Sequence, residues 1–153
     1  MDNTDSFTVE RFYPHSPEDV WTAVNSPELF LADWVLGLEG PIAEPGTSLS
    51  LKVLPLLGSG FTGHVICWYR DVRPHELITF QFIFDGAKQS VLEGKWEFAK
   101  CRHGTFLSCT LSGFTPGRPS HSRTRYMLKN AMEQVLWRLS TFLNAENNDL
   151  QRG

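Results

Sequence analysis

The chain has 153 residues, with 14 basic and 17 acidic side chains and a net charge of -3. That length fits one domain, residues 1–153, with a substantial core, and the acidic balance argues against a nucleic-acid binder. Three cysteines without a CxxC pair or a nearby histidine ligand, a polar opening MDNTDS unlike a leader, and no apolar run near the ~20 residues of a membrane span point to a cytoplasmic protein with reduced thiols, no metal, no cofactor and no membrane span.

Thr8 to Tyr13 reads as a first strand. Ser16, Pro17, Glu18 and Asp19 then supply a cap, a first-turn proline and two acids suited to a positive helix end. NSPEL repeats the device, so a second short helix is expected through Leu29, Phe30 and Trp34, ending at Gly37 and Gly40. Leu49, Leu51 and Val53 alternate with polar residues, as in a strand with one buried face. Four more strands follow, at about His64 to Val72, Ile78 to Phe84, Gly94 to Phe98 and Leu107 to Leu111. Asp85-Gly86 marks a hairpin between the second and third of these.

From Ser122 to Leu143 there is no Gly or Pro. Leu128, Met132, Val135, Leu139 and Phe142 form one stripe, with Ala131, Leu136 and Leu143 beside it. The order therefore predicts an α+β fold in which about six antiparallel strands form a curved sheet against a long C-terminal helix. The polar tail from Asn144 is expected to fray.

The run VERFYPHSPEDVWTAVNSPELFLADW resembles the opening of the START-like helix-grip (SRPBCC) superfamily. Its pattern is similar to the branch named for the ATPase activator of the 90-kDa heat-shock chaperone. Pro17, Val20 and Trp21 match its first helix motif; Pro27, Glu28, Leu29 and Trp34 match its second. Thr105, Leu107, Ser112, Gly113 and Phe114 match its closing strand, and the likeness spans about residues 7 to 143. Leu111 stands where such proteins often carry His. The resemblance implies a cavity between sheet and helix, and some members of the superfamily are cyclases or hydrolases.

No phosphate-binding glycine loop, GxSxG or HExxH is present. The aromatic inventory is the main functional signal: five Trp and eleven Phe. Trp34, Trp68, Phe80, Phe82, Phe84, Trp96, Phe98 and Phe114, with Met132 from the helix, are the candidate lining of a pocket for an apolar small molecule such as a lipid, polyketide or aromatic compound. The same residues would equally serve a packed core. Of the adjoining Glu10 and Arg11, one faces inward in an unbulged strand, and Tyr69 and Arg70 pose the same choice. Glu10 and Tyr69 are thus the candidate catalytic groups for a cyclase or hydrolase. Basic residues cluster late in the chain, and Arg123, Arg125 and Lys129 are candidates to dock an acidic chaperone surface. The sequence leaves the oligomeric state open.

Overall fold

The computed structural model of the chain describes residues 5–26, 35–40, 43–53, 61–86, 90–114 and 119–152. Strand β1 (Ser6–Tyr13) leads into helix α1 (Pro17–Val24). Strands β2 (Val35–Glu39), β3 (Ser48–Val53), β4 (Phe61–Arg73), β5 (Leu77–Gly86), β6 (Ser90–Cys101) and β7 (Gly104–Ser112) follow, and helix α2 (Pro119–Arg152) closes the chain. The sheet order is β1-β7-β6-β5-β4-β3-β2, and every pairing is antiparallel. The chain thus leaves one edge after β1, crosses to the other, and returns as a meander that ends beside β1.

The α+β helix-grip arrangement expected from the sequence is the one formed, with two differences. The sheet has seven strands, because Val35–Glu39, read as the end of a helix, forms edge strand β2 on β3. The second short helix, with Trp34, lies outside the described residues. The terminal helix runs from Pro119 to Arg152, well beyond Leu143. No Gly or Pro interrupts Asn144 to Arg152, so nothing in the polar tail stops helix propagation.

Side chains alternate across each strand. Phe7, Val9 and Tyr13 of β1, Val65, Cys67 and Tyr69 of β4, Ile78 and Phe80 of β5, and Leu107, Cys109 and Leu111 of β7 are buried on the concave face. The other face is mainly polar, with a few exposed apolar residues such as Phe12 and Trp68, and carries the Lys95–Glu97 ion pair. Two register shifts in β4, between Phe61 and Val65 and between Tyr69 and Val72, bend that strand. Gly63, at φ 95°, serves the first of them.

Ser16 caps α1 as its chemistry predicts, accepting from the Asp19 N–H at 3.2 Å. The buried seam of α2 is Leu128, Met132, Val135, Leu136, Leu139 and Leu143, with Phe142 at its margin. The helix lies along β1. The Tyr13 hydroxyl donates to the Leu136 carbonyl at 2.6 Å inside the core. Arg125 Nε donates to the Ser6 carbonyl at 2.9 Å, and the Arg11 guanidinium sits 5.2 Å from the Trp137 ring centre. These contacts cover a strand that would otherwise be a bare sheet edge. No helix among the described residues is long and apolar enough to cross a membrane.

Candidate functional site

Among the described residues, the inner face is less buried toward the end of β5 than at its start. Register places Phe80, Phe82 and Phe84 opposite Tyr69, Cys67 and Val65 of β4. The three rings form a ladder: Phe80 and Phe82 centroids lie 4.8 Å apart, and Phe82 and Phe84 lie 6.3 Å apart with their planes at 80°. Phe80 is buried, whereas Phe82 and Phe84 are half-buried. The ladder therefore runs from a packed interior toward an accessible end, away from α1.

A polar pair sits beside it. Tyr69 and Cys67 are both buried, and their side chains hydrogen-bond to one another. The Tyr69 hydroxyl also bonds the backbone of Ala43. The loop ahead of β3 is tied to the same residue: the Gly46 N–H donates to the Tyr69 carbonyl at 3.0 Å, and the Tyr69 N–H to the Thr47 carbonyl at 2.9 Å. Ala43 holds φ at 53°, a conformation that favours glycine. That strained backbone brings Ala43 onto the core beside Tyr69.

Burial raises the Cys67 thiol from its ordinary value of 9.0 to about 12. Burial, reinforced by Cys67, holds the Tyr69 phenol far above its ordinary range. Both groups are protonated at neutral pH. The pair can donate and accept hydrogen bonds but carries no charge.

The residues expected to line a pocket separate into several places. Phe80, Phe82 and Phe84 form the ladder, and Trp96 is buried next to it on β6, opposite Ile78. Phe98 packs at the other end, its ring 5.1 Å from that of Trp21 on α1. Phe114 stacks at 5.9 Å on Phe7 at the margin of β1. Met132 is buried on the helix seam. Trp68 is a correction: it lies on the outer face and is 42% exposed, because strand alternation turns it away from Cys67 and Tyr69.

Glu10 is also corrected. β1 pairs with β7 without a bulge, so Phe7, Val9, Arg11 and Tyr13 share the inner face and Glu10 is exposed on the outer one. Arg11 is the inward member, and it meets Trp137 rather than the ladder. Tyr69 does face inward, and Arg70 is exposed. Of the basic trio, Arg123 is exposed, while Arg125 is partly buried against β1 and Lys129 is half-buried. The run PIAEPGTS reads as a loop, but nothing in it marks the contact of Ala43 with Tyr69, because alanine is not the residue that signals a positive φ.

A family model described as "Activator of Hsp90 ATPase homolog 1-like protein" matches residues 14–144. Among solved structures, protein MLL2253 from Mesorhizobium loti superposes with a TM-score of 0.73 at 21% identity, covering 92% of this chain and 97% of that one. DynU16, from the dynemicin biosynthetic locus, gives 0.67 at 24% identity, over 92% of this chain and 47% of that one. The Aha1 dimer from Colwellia psychrerythraea gives 0.65 at 15% identity, over 90% and 95%. At these identities the likeness is one of fold. No curated protein matches the chain.

Proposed function

Because the chain belongs to the family described as activator of Hsp90 ATPase homolog 1-like proteins, in a fold that hosts more than one kind of function, we propose that it binds an apolar small molecule on the concave face between sheet and α2. The half-buried Phe82 and Phe84, continuing a ladder otherwise sealed in the core, carry this reading. Aromatic rings offer large apolar area to a flat or aliphatic ligand. The Tyr69–Cys67 pair offers it one uncharged hydrogen-bonding point. A polyketide, lipid or aromatic compound with a single carbonyl or hydroxyl fits those demands, and the likeness in fold to DynU16 is compatible with that class.

The test is a titration with an environment-sensitive apolar dye, followed by native mass spectrometry of protein from its host. Saturable binding at a stoichiometry near one, lost in Phe82→Asp while the far-ultraviolet circular dichroism is unchanged, is the expected result. Dye binding that fails to saturate, or is indifferent to Phe82→Asp, overturns the proposal.

A second reading is a module that binds and stimulates a heat-shock chaperone. Tyr126, 67% exposed, lies three residues from the exposed Arg123 on α2 and favours it. Capture of the chaperone at low salt, weakening steeply as salt rises, is expected of that surface. Cyclase or hydrolase chemistry has less support, since Tyr69 and Cys67 both hold their protons at neutral pH and neither serves as a base.

A further inference from the structure

A second recess lies away from the concave face. It is a cleft of about 250 Å³ between the β1–α1 connection and the β6–β7 turn. Lys100, Arg102 and His103 line one wall; His15, Ser16 and Glu18 line the other. None of these residues belongs to the aromatic ladder or to the Tyr69–Cys67 pair. Glu18 is the single carboxylate among the lining side chains. Neither Lys100 nor Arg102 forms an ion pair with a carboxylate among the described residues; the Lys95–Glu97 pair lies elsewhere.

The two walls are pinned together from behind. The buried Thr105 hydroxyl donates to the His15 carbonyl at 2.8 Å. Gly104 backs onto the β1 terminus so closely that a Cβ there would overlap the Tyr13 carbonyl and come within 2.9 Å of Pro14 Cα. Tyr13 and Thr105 are register partners across β1 and β7. The recess is thus a fixed feature of the sheet corner rather than a chance fold of a surface turn. The end of α1 adds little to its charge preference: Pro17 has no N–H, and Ser16 already takes the Asp19 N–H.

We propose that this cleft binds a small ligand through a phosphoryl group. The exposed Lys100 and Arg102, with His103, on a wall whose backbone is pinned at Gly104 and Thr105, supply the forked and single donors that a phosphate dianion accepts. His15 and Ser16 line the opposite wall. The volume lies below the ~300–1,000 Å³ of pockets for drug-sized molecules, which limits the ligand to a phosphate with a short attached group. Free phosphate and a phosphate monoester share this chemistry.

The experiment is an amide nuclear magnetic resonance titration of the full chain. The probes are inorganic phosphate, glycerol 3-phosphate, sodium acetate, and sodium chloride at matched ionic strength. Saturating shifts confined to the cleft backbone, near Ser16 and His103–Gly104, with either phosphate probe and with neither acetate nor chloride, are expected. The tighter of the two phosphate probes identifies the free or the esterified form. Arg102→Ala, in the turn, and Lys100→Ala, at the exposed end of β6, should each weaken that binding by about tenfold or more. Shifts that follow ionic strength, equal shifts with acetate, or affinities unchanged in both variants overturn the proposal. The dye titration of the concave face is unaffected in either case, so the two sites are judged separately.

Discussion

The Phe80 ring occupies the space above Gly94, its partner across β5 and β6. A Cβ at position 94 would overlap that ring and approach Leu111 Cδ2 to 2.8 Å. Gly94 is therefore the floor on which the ladder begins, and the concave face is solid at that point. Gly94→Ala should destabilise the domain by about 1–3 kcal/mol through overpacking, read as a lower denaturant midpoint at unchanged slope. The larger Gly94→Trp should cost more and leave little folded protein. A neutral Gly94→Ala would mean that Phe80 does not pack as described.

The ligand proposal separates two aromatic residues that the sequence had grouped. Phe82 faces the interior, and Trp68 lies on the opposite face of the adjacent strand. Phe82→Ala should weaken binding of an apolar probe by about tenfold or more, the usual scale for a lost aromatic contact of 1–2 kcal/mol. Trp68→Ala should leave it unchanged. Equal effects from both would place the probe on the outer surface.

The thiols give a direct readout of burial. Cys101 is exposed, and Cys67 and Cys109 are buried. One thiol should react promptly with a chromogenic disulfide in the native protein, and Cys101→Ser should abolish that phase. The other two should react only on unfolding.

The same burial makes stability depend on alkaline pH. Cys67 holds its proton in the folded state up to about 12, against an ordinary value of 9.0. Between those values the unfolded chain releases a proton that the folded chain retains, so stability falls as pH rises through that window. Tyr13, Tyr69 and Cys109 are displaced upward by burial in the same sense. Denaturation curves from pH 8 to 11 should show this decline, and Cys67→Ala should make it shallower. A stability independent of pH over that range would show that these groups are solvated.

Arg123 and Arg125 are near neighbours with different roles. Arg125 Nε holds the Ser6 carbonyl, whereas Arg123 is exposed. Arg125→Glu should lower stability by about 1 kcal/mol, since a partly buried charge-assisted bond is lost. Arg123→Glu should leave stability within about 0.5 kcal/mol and report on chaperone docking alone. Equal thermal midpoints for the two variants would remove the anchoring role of Arg125.

Much of the architecture was legible because it rests on local rules. The Ser16 cap, the strand alternation and the α2 stripe each follow from spacing. β2 was missed because Gly37 interrupts its alternation and it contributes only a short edge. The choice between Glu10 and Arg11 could not be made from two adjacent charges; it is settled by an unbroken register with β7 and by Trp137 arriving from α2. Among the described members, all but Trp68 lie on the inner side as the sequence suggests, but their division between ladder, α1 and the β1 margin depends on pairings between distant strands. The phosphate cleft joins two segments far apart in the chain, and neither the PHSPE nor the KCRHG run points to the other.

The placement of β1 beside β7 also sets an order of events during synthesis. β1 is made before the other described strands, yet its one partner among them, β7, is the last of the seven. Until β7 emerges, the alternating apolar residues Phe7, Val9 and Tyr13 have no ladder to join. The helix that shields the free side of β1 follows later still. Closure of this sheet is therefore a late, long-range step that carries a large loop-closure entropy. Until β7 and α2 have followed, the nascent β1 stays open to pairing with other chains.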